Sequence, residues 1–280
     1  MARGRSAGVM TVRLGGSPGT VTRPDRLVVE EPMEIRIDDH VVTTTMRTPG
    51  NDYELAVGFC VTEGLLGGAP VRSVRYCATG SADETHYNIV TVGTGGRAPL
   101  PEARLRTATS SCGLCGAASL DALRQRLVPL AAPSPILDIE VLIRAASLTR
   151  ERQVLFDETG AIHAASLFDP ATGEVDLVRE DIGRHNAVDK LVGRMALDGH
   201  LPATSLGLFV SGRASFEIVQ KAWAAGFGVV AAVSAPSALA VETARAANIA
   251  LVGFLRGGEG RGASANQYAP SPGFAAGAAG

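Results

Sequence analysis

Ser205-Leu-Gly-Leu-Phe-Val210, Val229-Val-Ala-Ala-Val233 and Ile249-Ala-Leu-Val-Gly-Phe-Leu255 are apolar runs that each enter a turn of small or polar residues. The turns are Ser211-Gly-Arg-Ala214, Ser234-Ala-Pro-Ser237 and Arg256-Gly-Gly258, and helical stretches ending at Ala225 and Ala247 separate the runs. Short apolar strands alternating with helices of about 10–15 residues predict a largely parallel sheet with right-handed crossovers. In such a sheet ligands bind beyond the carboxyl ends of the strands. Arg213, Arg256 and the helix N-termini that follow the strands would then make an anion site. Taken singly, each turn is equally well a cap. Neither a G-x-G-x-x-G fingerprint nor a P-loop occurs, so NAD or ATP use has no motif behind it.

Toward the N-terminus the periodicity changes. From Arg26 to Val42 it alternates through Leu27-Val-Val29, Met33, Ile35, Ile37 and Val41-Val42, which predicts strands joined at Asp38-Asp39. Asp52 opens a helix with Leu55, Ala56, Phe59 and Cys60 on one face, and Gly64 marks its end. Val71–Tyr76 and Tyr87–Val92 alternate again. Residues 21–108 thus read as a small α+β domain. Residues 109–116 form a loop at the junction, leading into a helix from Ala117 to Leu127 that Pro129, Pro133 and Pro135 stop. Residues 117–258 read as an α/β domain. Residues 1–20 lack periodicity and read as a loose tail, and residues 259–280, dominated by Gly, Ala and Ser, as a largely disordered one.

A chain of 280 residues with 46% hydrophobic and 19% charged residues can bury a core and suits two units. The net charge of −2 gives no bulk field for nucleic acid or an anionic membrane. No apolar segment is long enough to span a bilayer, and the basic start Met1-Ala-Arg-Gly-Arg5 has no apolar stretch after it. The expectation is a soluble, cytoplasmic protein.

Four cysteines do not make a disulfide framework. Cys112 and Cys115, in Ser111-Cys-Gly-Leu-Cys-Gly116, carry the strongest chemical signal. A cysteine at a helix start gains thiolate character from backbone N–H groups and the helix dipole, and the flanking glycines let a partner approach. Three readings of the pair stay open: persulfide carriage, a thioredoxin-like dithiol, or half of a zinc site. Zinc needs about four ligands, and Cys60 and Cys77 stand alone, although a mixed site with His163 and His185 stays open.

Gly160-Ala-Ile-His163-Ala-Ala165 has no Glu two residues after its histidine, and the CxxC lies upstream of it, so zinc-deaminase chemistry is not supported. His163 is equally a hydrogen-bonded core or loop histidine. The run Arg179-Glu-Asp-Ile-Gly-Arg-His-Asn-Ala-Val-Asp-Lys190 is dense in polar groups. It is either a solvated helix face or a set in which Asp181, Arg184, His185 and Asn186 contact a polar ligand.

Together these segments resemble the formate dehydrogenase accessory sulfurtransferase family, often called FdhD or NarQ. The resemblance runs from Glu30-Glu-Pro-Met-Glu to Asn266-Gln-Tyr268 and includes Leu55-Ala-Val-Gly-Phe59, the CxxC segment, the Arg179–Lys190 run, Ser211-Gly-Arg213, Ser234-Ala-Pro236 and Leu251-Val-Gly-Phe254. It implies an α/β protein: an α+β N-terminal unit and a C-terminal αβα domain similar to cytidine deaminase. It also implies a sulfurtransferase that takes sulfane sulfur from a cysteine desulfurase. Through a cysteine persulfide, the sulfur passes to the molybdenum or tungsten bis(molybdopterin guanine dinucleotide) cofactor, Mo-bis-MGD, before insertion into formate dehydrogenase. Cys112 matches the family's persulfide cysteine and Cys115 its companion. Phe254, Leu255, Arg256, Gly257, Gly258 and Glu259 match the stretch assigned to cofactor binding, and Arg213, His163 and His185 are grouped with them. A homodimer without a resident metal or cofactor is expected. After Arg256 the chain is richer in glycine than the family pattern. The competing readings are a cofactor-binding chaperone that moves no sulfur and a thiol-redox or zinc protein.

Overall fold

The computed structural model describes residues 4–15, 19–77, 87–100, 121, 126–131, 137–258 and 261–269. Cys112, Cys115, Glu259, the expected loop 109–116 and most of the expected helix 117–127 lie outside the described residues.

The N-terminal unit is a four-stranded sheet with a helix on it. Its strands are β3 (Glu31–Ile37), β4 (His40–Arg47), β5 (Ser73–Tyr76) and β6 (Ile89–Gly93), in the order β4-β3-β6-β5. Met33, Ile35 and Ile37 alternate inward along β3, as a strand with one covered face requires. They pack with Val90 and Val92 against Leu55, Ala56, Val57 and Cys60 of α1 (Asp52–Thr62). The β3–β4 turn holds Asp38 and Asp39 at φ of 43° and 70°, the left-handed pair that a two-residue hairpin needs. Backbone N–H groups of Thr94 (2.7 Å), Gly95 and Gly96 (both 3.1 Å) anchor the Asp38 carboxylate, so aspartate serves where glycine is usual.

The second unit is a six-stranded sheet, β12-β11-β10-β9-β7-β8. Its strands are β7 (His163–Phe168), β8 (Val175–Asp181), β9 (Gly207–Val210), β10 (Val229–Ala232), β11 (Ala250–Gly258) and β12 (Arg261–Ala269). Strands β9, β10 and β11 are parallel; β7, β8 and β12 run antiparallel to their neighbours. Leu208, Val210, Val230 and Leu251 face α4 (Arg184–Leu197), α5 (Phe216–Ala225) and α6 (Ala238–Ala247). Phe209, Val229, Ala231 and Val252 face α2 (Ile139–Glu151). Both faces are covered, which is why these strands are continuous apolar runs.

Three stretches depart from the sequence reading. Ser6–Arg13, expected within a loose tail, forms β1, paired antiparallel with β2 (Val21–Val28). Arg261–Ala269, expected within a disordered tail, forms the edge strand β12. Both are held chiefly by backbone pairing, which leaves no apolar period to read. The segment α2, followed by α3 (Val154–Thr159), is new, although Asp138 caps it through Glu140 N at 2.9 Å.

The units join along α1 and α4. The Arg179–Lys190 run is neither a solvated face nor chiefly a ligand surface; much of it clasps the N-terminal unit. Asp181 accepts from Thr48 N (3.1 Å) and pairs with Lys190 (2.7 Å), whose Nζ also donates to Thr48 O (2.9 Å). Asn186 donates to Met46 O at 2.7 Å, and Arg179 pairs with Glu54 at 2.8 Å. From α5, Lys221 reaches Asp189 (2.9 Å) and Glu63 (2.8 Å), with Thr62 donating to Asp189 at 2.7 Å. No helix among the described residues is long and apolar enough to cross a membrane.

Candidate functional site

The parallel strand ends are stitched together through their turns. Ser211 N donates to Ala164 O at 3.0 Å, and Ala164 N donates to Ser211 Oγ at 2.9 Å, which locks the end of β9 to the start of β7. Ser234 N donates to Gly212 O (3.3 Å), Ser237 N to Ala214 O (3.1 Å) and Phe254 N to Ser234 O (3.3 Å). Ser237 also caps α6 through Ala240 N at 3.2 Å. These turns are caps and spacers that hold a common rim.

Beneath that rim, between the sheet and α2–α3, lies a cleft of about 1160 Å³. Ile143, Phe156, Ile162, Phe209, Val233 and Leu255 give it apolar walls, and His163, Arg150, Glu151 and Arg256 line it as well. Arg150 is engaged with the Phe156 ring, 4.5 Å from its centroid, and with Asp157 at 2.7 Å. Arg256 donates to Leu255 O at 2.9 Å and to Val233 O. It ties β11 to β10 rather than standing free. Gly257 is glycine because α2 approaches closely: a Cβ there would lie 2.6 Å from Ile143 Cδ1.

His163, His185 and Arg213 come together beside the strand ends. His163 is half-buried, and its imidazole is held below the ordinary 6.5 by burial first, then by Arg184, His185 and Arg213, with Asp181 opposing. His185 Nε2 lies 3.1 Å from Glu217 Oε2 and 3.2 Å from Ser215 Oγ, and Ser215 donates to Glu217 at 2.9 Å. Along β11, Leu255 is buried, Arg256 and Gly257 line the cleft, and Gly258 ends the strand. Phe254 is 40% exposed at φ 52°, in an irregular stretch of the β11–β12 pairing. Sequence reasoning missed the α2–α3 wall, although Ile139, Leu142, Ile143 and Ala146 stand at helical spacing after Asp138.

Cys60 and Cys77 are buried. Burial, then Asp189 and Glu63, push the Cys60 thiol up, which suppresses the nucleophilic thiolate. Among the described residues no three His, Cys, Asp or Glu side chains gather as a metal site.

A profile of the FdhD/NarQ family matches residues 28–268. The chain belongs to the FdhD/NarQ family. It is 51% identical over 255 residues to a sulfur carrier protein FdhD of Streptomyces avermitilis, covering 89% of this chain and 88% of that protein. The Mycobacterium tuberculosis sulfur carrier protein FdhD is 46% identical over 250 residues, covering 85% of this chain and 89% of that one. A crystal structure of a candidate formate dehydrogenase accessory protein from Desulfotalea psychrophila has the same fold, with a TM-score of 0.72, 21% identity and coverage of 95% and 98%. The FdhD/NarQ fold is thus the mixed α/β architecture described above.

Proposed function

We propose that this FdhD/NarQ chain carries sulfane sulfur on Cys112. The sulfur comes from a cysteine desulfurase and goes to Mo-bis-MGD, or its tungsten form, before the cofactor enters formate dehydrogenase. The observation that carries the reading is family membership together with relatives named as sulfur carrier proteins. Cysteine burial supports it: with Cys60 and Cys77 enclosed, the chain's thiol chemistry falls to Cys112 and Cys115.

In the loading step the Cys112 thiolate attacks the terminal sulfur of the desulfurase persulfide. A new S–S bond forms on Cys112 as the old one breaks, and the desulfurase cysteine leaves as thiolate. No electron is gained or lost overall. Delivery as sulfide needs two electrons. The Cys115 thiolate supplies them by attacking the Cys112 sulfur, which closes a Cys112–Cys115 disulfide and releases HS⁻ toward the acceptor.

The apolar cleft with its polar rim suits a flat heterocycle that carries charge at one end, and it is the proposed seat of the cofactor's pterin or guanine part. The test is maturation of formate dehydrogenase in a host lacking its own carrier. Cys112→Ser should leave the enzyme inactive while the variant accumulates folded. Full activity with that variant would overturn the sulfur-carrier reading.

A further inference from the structure

The β1–β2 ribbon joins neither larger sheet, and all but its last residue precedes the stretch that the family profile matches. Its pairing runs from Ser6 opposite Val28 to Arg13 opposite Val21 without a bulge. Opposed residues therefore alternate between hydrogen-bonded and non-hydrogen-bonded pairs. Val29 N donates to Arg5 O at 2.9 Å, which makes the odd-numbered positions of β1 the bonded ones. Pro24, opposite Met10, has no N–H, as a non-hydrogen-bonded position permits. The N–H and C=O groups of Gly8, Met10 and Val12 thus point away from β2, and among the described residues no strand takes them up. Proline at an outward-facing position blunts an exposed edge. Pro24 does so for β2, whereas β1 has no proline and no charged residue before Arg13. The two faces of the ribbon also differ. On one, the root rests on α3: Ser6 Oγ donates to Glu158 at 2.8 Å and Arg26 pairs with Glu158 at 3.4 Å. Further out on that face Met10 and Val12 are 68% and 52% exposed. The other face carries Arg13 and Arg23 at its outer end, and among the described residues neither forms an ion pair. A two-stranded ribbon with a bare apolar face and an open edge is marginal by itself in water.

We propose that β1 is a docking edge for an extended acidic segment of a partner protein, which adds to the ribbon as a third strand. The free groups of Gly8, Met10 and Val12 supply the main-chain hydrogen bonds, and side-chain alternation supplies the choice of partner. Apolar residues at alternate positions of the segment lie beside Met10 and Val12. The acidic residues between them lie on the face of Arg13 and Arg23. Charge decides between occupants: an acidic segment gains from the two unpaired arginines, whereas a second copy of the ribbon brings more arginines and no acid to that end. The hold of Glu158 on Ser6 and Arg26 fixes the root of the ribbon, so the ordering cost of docking falls chiefly on the partner. The inference stands on the ribbon alone and is independent of the sulfur-carrier reading.

The test is amide hydrogen exchange on the full chain, read by NMR, with a short synthetic peptide that alternates Val and Glu and a Val–Lys peptide as control. With the Val–Glu peptide, the amides of Gly8, Met10 and Val12 should slow severalfold more than those of Val9 and Thr11, which are already bonded to β2. The Val–Lys peptide should bind roughly tenfold more weakly, and added salt should weaken the Val–Glu peptide. Met10→Pro puts a second proline where the N–H points outward, so it spares the β1–β2 pairing and blocks the edge. That variant should melt like wild type and lose the Val–Glu peptide. Arg13→Glu with Arg23→Glu should reverse the preference between the two peptides. No added protection at Gly8, Met10 and Val12, or equal protection by both peptides, would overturn the proposal. Protection of the same amides that rises with the chain's own concentration, without peptide, would give the edge to a second copy and overturn it as well.

Discussion

Gly193 of α4 and Gly58 of α1 meet backbone to backbone: a Cβ on Gly193 would stand 1.8 Å from Glu54 O and 2.7 Å from Gly58 N. No rotamer change relieves such a contact, so alanine at either position must push the helices apart. Overpacking of this kind costs about 1–3 kcal/mol. Here it also stretches the polar clasp between the units. We expect Gly193→Ala to lower the melting temperature by several degrees, and an unchanged melt would show that the crossing is looser than described.

The clasp itself makes a second prediction. Lys221 is fully buried against Asp189 and Glu63, with Thr62 donating to Asp189. Removing one partner of a buried pair leaves an uncompensated charge and costs about 3–5 kcal/mol. Lys221→Met should therefore destabilise strongly in urea unfolding. Adding Asp189→Leu and Glu63→Gln to it should return part of the loss, because the stranded carboxylates go with them. A triple variant weaker than the single one would contradict this account.

These two features also show what the sequence could not display. The parallel strands β9, β10 and β11 and the Asp38-Asp39 turn were legible because each is dictated by neighbours in the chain: apolar runs, small residues, short turns. The clasp was not. Asp181 and Lys190 look like a solvated charge run until Thr48, more than 130 residues earlier in the chain, is placed against them. Arg256 likewise suits an anion by position, and only the register of β10 beside β11 shows Val233 O capturing it. Strand β1 leaves its apolar Val9, Met10 and Val12 exposed and β12 is mostly small and polar, so main-chain pairing rather than an apolar face carries both, and composition pointed the wrong way. Among the candidate site residues, the strand-end rule covered Arg213, whereas His163, at the start of an antiparallel strand, and His185 were joined to it only through the family resemblance. The cleft walls from α2 and α3 were not, because no expectation covered that segment.

His163 gives the pH prediction. Burial, then Arg184, His185 and Arg213, hold its folded pKa below the ordinary 6.5, while Asp181 works against them. The unfolded chain therefore binds the proton more readily than the folded one. This group's contribution is complete above about pH 6.5 and is lost as pH falls through the folded value. The imidazole resonance should titrate below 6.5, and Arg184→Gln should move the midpoint up by removing a cation. A midpoint at or above 6.5 in the wild type, or a downward shift in the variant, would contradict the electrostatics described.

Whether Cys112 carries the sulfur is read from the mass of its peptide. The purified chain is incubated with a cysteine desulfurase and cysteine, then alkylated and digested without reductant. The peptide containing Cys112 and Cys115 should gain one sulfur atom. Cys112→Ser should lose that gain, with Cys115 intact and Cys60 and Cys77 unmodified. No sulfur gain in the wild type, or a gain that persists undiminished in Cys112→Ser, would contradict sulfur carriage on Cys112.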